Sequence, residues 1–208
     1  HANPTRIVGV ASRDNFIYSP RGISPSQAYS FASRNFGDVY RYSDLHELVE
    51  AADIGTRRSS SSLVFIDVTP VLDAMTRFHI YVVGTTPYGI VTANKNPIVL
   101  SDYRTFQTLT ENPRRYGYRC SVMAGSDAVP FLLDLKDLNE TLYGIEGCFS
   151  GTLGYVTSEL DKYRKFSEIL REAHTKGYTE PDPRDDLRGF DVARKIIVLA
   201  RSAGYEVG

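Results

Sequence analysis

Short β-branched runs alternate with stretches of helical period along this chain, and that alternation limits the folds open to it. Thr5–Ser12 (TRIVGVAS) and Ser62–Thr69 (SLVFIDVT) are rich in Val and Ile, end in polar residues and predict buried strands. Between them, SDLHELVEAA opens with a cap at Ser43 or Asp44 and sets Leu45, Leu48, Val49 and Ala52 at helical spacing. A third run, GIVTANK, ends at Asn94 and Lys95. Strands alternating with helices predict βαβ units and a parallel sheet, whose ligands bind beyond the carboxyl ends of the strands. On that rule Ala11, Ser12, Arg13, Thr69, Pro70, Asn94 and Lys95 belong near a site.

From about Tyr116 the character changes. YGYRCSVMAG predicts a strand, PFLLDLKDL a helix, YGIEGCF another strand, and KFSEILREAHTKG an amphipathic helix with Gly177 as its stop. This is a second α/β layer, which divides the chain into residues 1–115 and 116–208. RRSSSS, Arg57 to Ser62, reads as an exposed helix-to-strand loop.

Composition excludes several classes. With 208 residues, 42% of them hydrophobic, the chain is long enough to bury a substantial core as one large or two small domains. A formal net charge of −1 gives no electrostatic case for nucleic acid or a membrane surface, and no run approaches the roughly 20 apolar residues of a bilayer span. HANPTRIVGVAS has neither the charged nor the apolar region of a signal peptide, so the expected setting is cytoplasmic. Cys120 and Cys148 match no metal or redox spacing and are expected to be buried free thiols. His46 and His174 sit on helical patterns and His79 in an apolar run, with no metal spacing and no triad partner.

The segment GYTEPDPRDDLRGFDVARK, Gly177 to Lys195, concentrates carboxylates ahead of a lone Lys. Asp182, Pro183 and Asp185 have the order of a helix start, and Asp186 can serve the same purpose a turn later. Val192, Ala193, Ile196, Ile197 and Ala200 are the expected apolar face of the helix that follows. Asp191 and Lys195, four apart, read on spacing alone as a surface ion pair worth about 0.3–0.5 kcal/mol. The same geometry serves chemistry equally well. Glu180, Asp186, Asp191 and Lys195 can surround a small zwitterion and leave an ammonium to exchange a proton. A divalent-metal hydrolase competes for the same acids, although a helix cap accounts for several of them.

This segment closely resembles the signature of homoserine dehydrogenases. GIVTANKNP resembles the strand-to-loop Lys motif of that family and IEGCFSGTLGYV its substrate-loop motif, in the same order, with continuous similarity from about Ile90 onward. The resemblance implies an α/β fold: a partial Rossmann-like nucleotide-binding domain followed by an α/β catalytic domain. The implied activity is NAD(P)-dependent interconversion of L-homoserine and L-aspartate 4-semialdehyde, on the route to threonine, methionine and isoleucine. Carried over by motif position, Lys195 is the proton donor, Asp191 positions it, and Lys95 is the second essential lysine. Glu180 binds the amino group of the substrate, and Gly151, Thr152, Tyr178 and Asp186 line the same pocket. Thr69, Pro70, Asn94 and Lys95 stand at the nicotinamide end. Ser12 and Arg13 stand near the adenosine ribose, where Arg favours the 2′-phosphate of NADP. The resemblance also implies a monovalent cation on the main-chain carbonyls of Val122, Ala124 and Ser126, and a homodimer in the complete protein.

There are departures from the family pattern. No GxGxxG follows a first strand, Arg119 stands where a Glu is usual, and Met123 replaces a Gly. The simplest expectation is that both ends of a longer protein are absent. A competing reading from another class is a module that binds an amino acid or a partner subunit without a cofactor.

Overall fold

The structure is a computed structural model that describes residues 5–35, 37–56 and 62–208. The Arg57–Ser61 part of the RRSSSS run lies outside the described residues. The chain divides into two compact units, His1–Phe65 with Arg77–Ile90, and Ile66–Thr76 with Val91–Gly208.

In the first unit β1 (Gly9–Ala11), β2 (Asn15–Tyr18) and β3 (Tyr40–Arg41) form an antiparallel sheet in that order, with Ala11 opposite Phe16 and Phe16 opposite Tyr40. This corrects the reading of Thr5–Ser12 as a buried parallel strand. Only three of its residues are extended in a ladder, and Ile7 is exposed. The cause is local: Ser12-Arg13-Asp14-Asn15 is turn chemistry, and the Ser12 N–H donates to the Asn15 carbonyl at 2.8 Å, so the chain doubles back at once.

Helix α1 (Pro25–Ala32) was not anticipated, yet its signal is written in Ser24-Pro25-Ser26-Gln27. Ser24 and Gln27 form a reciprocal capping box with Pro25 at the first position. Helix α2 (His46–Thr56) follows the predicted cap, Asp44 accepting from the His46 N–H at 2.8 Å. Val49 and Ala52 are buried as the spacing requires, together with Phe16, Phe31, Phe78 and Val82.

Strands β4 (Val64–Asp67), β5 (Gly89–Thr92) and β6 (Tyr116–Gly117) form the second sheet, in the order β4-β5-β6. The Gly89 N–H donates to the Leu63 carbonyl and the Ala93 N–H to that of Asp67. Numbering therefore rises together along β4 and β5, and the pair is parallel with α3 (Asp73–Thr85) as its crossover. The β4 run is not buried as its composition predicts. Val64, Ile66 and Val68 are 52%, 72% and 75% exposed, because β4 is an edge strand and no described element covers that face.

The second unit is mostly helical: α4 (Asn96–Val99), α5 (Tyr103–Thr110), α6 (Ala128–Asp137), α7 (Gly151–Leu160), α8 (Phe166–Thr175), α9 (Pro183–Leu187) and α10 (Phe190–Ser202). Its core gathers Ile98, Leu109, Tyr116, Val122, Val129, Ile169 and Val198, with α10 packed against α4 and α6, and α7 against α8. One predicted strand is cut to two residues and another does not form. YGYRCSVMAG is extended only at β6 and then winds through 3-10 turns at Arg119–Ser121 and Met123–Gly125, where Met123 and Ala124 take left-handed φ values of 54° and 51° that end any ladder. YGIEGCF has no regular structure; Gly144 and Gly147 break it, and Tyr143 is 96% exposed. Both cysteines are free but exposed rather than buried, since they sit in these irregular stretches.

Gly177 ends α8 with φ +70°, as predicted. The Asp182 segment differs from the single helix start expected. Gly189, at φ +69°, separates α9 from α10, a conformation that costs a glycine little. The break also turns the predicted apolar face. Val198, Leu199 and Ser202 are buried, whereas Ile196 is 43% exposed and Ala193 is exposed. Lys195 belongs to the same i, i+3, i+4, i+7 stripe as Val198, Leu199 and Ser202. The inward face of α10 thus carries a lysine at its amino-terminal end and core beyond it. No described helix is long and apolar enough to cross a membrane.

Candidate functional site

Two segments far apart in sequence meet at one carboxylate, and a third joins them through a lysine. Asp191, in the first turn of α10, accepts from the Lys195 ammonium at 2.7 Å on Oδ2 and from the Lys95 ammonium at 3.0 Å on Oδ1. Lys95 enters from the end of β5, ninety-six positions away. The Lys195 Nζ also donates to the Phe149 carbonyl at 2.7 Å, which joins the substrate-loop motif to the lysine helix. The two lysine side chains are only 17% and 23% exposed, so this is not the solvated surface pair that i, i+4 spacing alone suggests.

Burial of the Asp191 carboxyl acts to raise its pKa, but hydrogen bonds from Lys195 and Lys95 and their charges outweigh burial and hold it below the usual carboxylate range. A folded-state pKa below the unfolded one means stability that is complete above the unfolded pKa of about 4 and lost as pH falls through the folded value. Asp191→Asn is therefore expected to cost about 1 kcal/mol at pH 6, a figure kept small because the carboxylate is more than half exposed. Melting wild type and variant from pH 7 down to 2 checks this, and the gap should close only below about pH 4. A gap that persisted unchanged at pH 2 would show that lost charge pairing is not its source.

The other residues of the motif form a connected second group. The Thr152 hydroxyl, in the first turn of α7, donates to the Tyr178 carbonyl at 2.5 Å. The Tyr178 ring packs edge-on against Tyr155 at 5.1 Å, with the Lys176 ammonium over both rings. Asp186 accepts from the Glu180 N–H at 2.8 Å, so α7 and α9 both hold the 178–180 segment. Around Gly151 a Cβ would meet nothing within 4 Å, which leaves open space beside this segment. The Glu180 carboxylate has no hydrogen-bond or ion-pair partner among the described residues. The remaining acids have separate roles. Asp182 caps α9 and is held down to about 2 by the Arg184 guanidinium, while Asp185 pairs with Arg188 at 3.2 Å. Dispersed in this way, the carboxylates do not form the shared cage that a divalent cation needs.

Thr69 and Pro70 follow β4 and Asn94 follows β5, the carboxyl ends at which a parallel sheet presents ligands. The Asn94 amide is fully engaged by protein: it donates to Asp67 Oδ2 at 3.0 Å and the Val71 carbonyl at 2.8 Å, and its oxygen accepts from the Asn96 N–H at 3.0 Å. In the first unit, Ser12 and Arg13 lie in the β1–β2 turn, and the Ser12 carbonyl accepts from the Tyr42 hydroxyl. Asp14 Oδ1 accepts from the Asn15 amide at 2.8 Å, whereas exposed Arg13 has no partner among the described residues. Val122, Ala124 and Ser126 lie in and around the left-handed turn at Met123 and Ala124, beside a buried Ser121 hydroxyl that has no hydrogen-bond partner among the described residues. A cavity of about 630 Å³ in the first unit, lined by Tyr18, Gln27, Phe31 and Tyr40 among others, contains none of these candidates. Sequence reasoning missed the Phe149 carbonyl, a backbone atom with no side-chain signature. It also missed Asp67, whose signal was a lone carboxylate inside an apolar run.

A parallel βαβ unit with functional side chains at its strand ends, joined to a helical layer holding a two-lysine, one-carboxylate cluster, defines a Rossmann-like α/β protein. The sequence pattern of homoserine dehydrogenase matches residues 131–208. The bifunctional aspartokinase/homoserine dehydrogenase 2 of Zea mays is 33% identical over 210 residues, covering 97% of this chain and 22% of the maize protein. A putative homoserine dehydrogenase from Archaeoglobus fulgidus superposes with a TM-score of 0.69 at 26% identity, over 98% of this chain and 59% of that one. A hyperthermophilic archaeal homoserine dehydrogenase in complex with NADPH shares the fold at TM-score 0.67 and 20% identity, over 94% and 59%. The chain belongs to the homoserine dehydrogenase family. It spans about a fifth of the length of the curated maize relative.

Proposed function

We propose that this chain takes part in NAD(P)-dependent interconversion of L-homoserine and L-aspartate 4-semialdehyde, with residues 1–115 on the dinucleotide side and 116–208 on the substrate side. The observation that carries this reading is the pairing of both Lys195 and Lys95 with Asp191, with the Lys195 ammonium also bound to the Phe149 carbonyl. When bound, the nicotinamide supplies or accepts the hydride. As the aldehyde carbon is reduced, negative charge grows on its oxygen, and the Lys195 ammonium stabilises and protonates it. Asp191 holds Lys195 and Lys95 in reach without being the proton donor. Glu180, its carboxylate without a partner among the described residues, receives the substrate ammonium. Thr152 and Asp186 keep the Tyr178–Glu180 segment in place, and the open space at Gly151 admits the substrate backbone.

Thr69, Pro70, Asn94 and Lys95 meet the nicotinamide end, and Ser12 and Arg13 the adenosine ribose. The guanidinium of Arg13, without a partner among the described residues, beside an engaged Asp14 supports NADP over NAD. Arg13→Ala is expected to weaken NADPH binding by about tenfold or more, because a charge-assisted hydrogen bond contributes roughly 1.5–3 kcal/mol, with little change for NADH. Fluorescence titration with both nucleotides checks it, and equal losses for the two would remove the 2′-phosphate assignment. A monovalent cation fits the carbonyls of Val122, Ala124 and Ser126, since the orphan Ser121 hydroxyl one residue earlier offers a further oxygen.

The deciding experiment mixes this chain with NADPH and L-aspartate 4-semialdehyde and follows nicotinamide absorbance. Saturable oxidation that requires the semialdehyde supports the reading. A folded chain to which NADPH does not bind would overturn it.

A further inference from the structure

Asp67 is a carboxylate only 3% exposed at the end of β4, and Asn94 is 5% exposed at the end of β5. Burying a carboxylate is costly unless hydrogen bonds replace its water, so its partners show what the group holds together. Oδ1 accepts from the Thr69 N–H at 2.9 Å, and Oδ2 accepts from the Asn94 amide at 3.0 Å. The second Asn94 proton goes to the Val71 carbonyl at 2.8 Å, and Asn94 Oδ1 receives the Asn96 N–H at 3.0 Å. Asn96, itself 6% exposed, returns a bond from its amide to the Pro70 carbonyl at 3.2 Å. The Thr92 hydroxyl closes the set, accepting from the Asn94 N–H at 3.0 Å.

These bonds reach into two loops. One is Thr69–Val71, the other Asn94–Asn96, and Lys95 stands between two asparagines whose side chains both reach the first loop. We propose that Asp67 and Asn94 are positioning residues that lock the Thr69–Pro70 loop to the loop carrying Lys95, and so fix where the Lys95 ammonium meets Asp191. The catalytic consequence of this lock rests on the dehydrogenase reading; the lock itself does not. A rigid Lys95 backbone is what lets a long, flexible side chain deliver its ammonium to one carboxylate oxygen rather than sample many positions.

Asn94→Ala and the isosteric Asp67→Asn test this in the chain without nucleotide. Asn94→Ala removes the amide donor shared by Asp67 Oδ2 and the Val71 carbonyl and the acceptor of the Asn96 N–H. Asp67→Asn sets two amide donors against each other while preserving volume, and serves if the first variant does not fold. Amide exchange at Thr69 and Asn96 is expected to accelerate about tenfold or more, while Ile169 and Ala173 in α8 keep their protection. NMR titration of the Asp191 carboxyl should show its midpoint rising by about half a pH unit or more as Lys95 withdraws. The reversed pair Asp67→Asn with Asn94→Asp, which rebuilds the link between the two side chains, should recover some of both effects. Faster exchange with an unmoved Asp191 midpoint would reduce the network to a merely structural role and overturn the proposal, as would unchanged exchange. None of these readings depends on nucleotide, so failure of NADPH to bind would sink the dehydrogenase reading and leave this result standing.

Discussion

On the proposed dehydrogenase reading, Lys195→Ala is expected to lower semialdehyde-dependent NADPH oxidation by about a hundredfold to ten-thousandfold, the range for a positioned proton donor, while the chain remains folded. The geometry separates the two effects. Removing the side chain strips a donor from the Phe149 carbonyl and from Asp191 Oδ2, but Lys95 still pairs with Asp191 Oδ1. The expected stability loss is therefore about 1–2 kcal/mol, enough to lower the melting temperature and too little to unfold a domain of this size. Lys195→Arg divides the chemistry further. A guanidinium keeps the positive charge near the developing alkoxide but does not release a proton, so some of the electrostatic stabilisation survives and proton delivery does not. Turnover for the arginine variant is expected between wild type and alanine. Alanine activity within about threefold of wild type would remove Lys195 from the proton-transfer role, whatever the melting curves show.

Arg201→Ala is expected to destabilise the second unit by about 3 kcal/mol or more. Arg201 is 1% exposed on the last turn of α10. Its Nε donates to the Val207 carbonyl at 2.9 Å, its Nη1 to the Ile98 carbonyl at 2.7 Å, and its guanidinium lies 5.9 Å from the Phe106 ring centre. Desolvation pulls its pKa down, and the Asp102 carboxylate opposes that pull. Truncation removes the Arg201 donors from the buried Ile98 carbonyl and the part-buried Val207 carbonyl and leaves a cavity between α4, α5 and α10, which are the mechanisms behind large single-site losses. Arg201→Lys retains charge but supplies no fork to reach both carbonyls, so an intermediate loss is expected. Urea unfolding measures all three proteins. An alanine variant with an unchanged midpoint would mean that the guanidinium contributes nothing net.

Local patterns were readable where a single element satisfies itself. The Asp44 cap of α2 and the Gly177 stop of α8 both depend on a few neighbouring residues. Failures came where a partner decided the outcome. The Val and Ile content of Thr5–Ser12 predicts a strand but not that a polar turn at Ser12 would pair it antiparallel with its own sequel. YGIEGCF has strand-like composition, yet strand formation needs a ladder partner and no described strand pairs with it.

For the candidate site the same division holds. The motif around Lys195 and its order relative to Lys95 and the Gly151 loop were legible, because chemistry needs particular side chains and these are written in the sequence. Spacing alone left Asp191 and Lys195 as an ordinary surface pair. Bringing in Lys95 from ninety-six positions away, the Phe149 carbonyl, and the buried Asp67–Asn94 lock was decided by tertiary structure. The physical reason is that a helical repeat or a cap is enforced within a few residues. Convergence of a carboxylate with two ammonium groups and a carbonyl is enforced only when the packing of α10 on α4 and α6 turns one stripe of the helix inward.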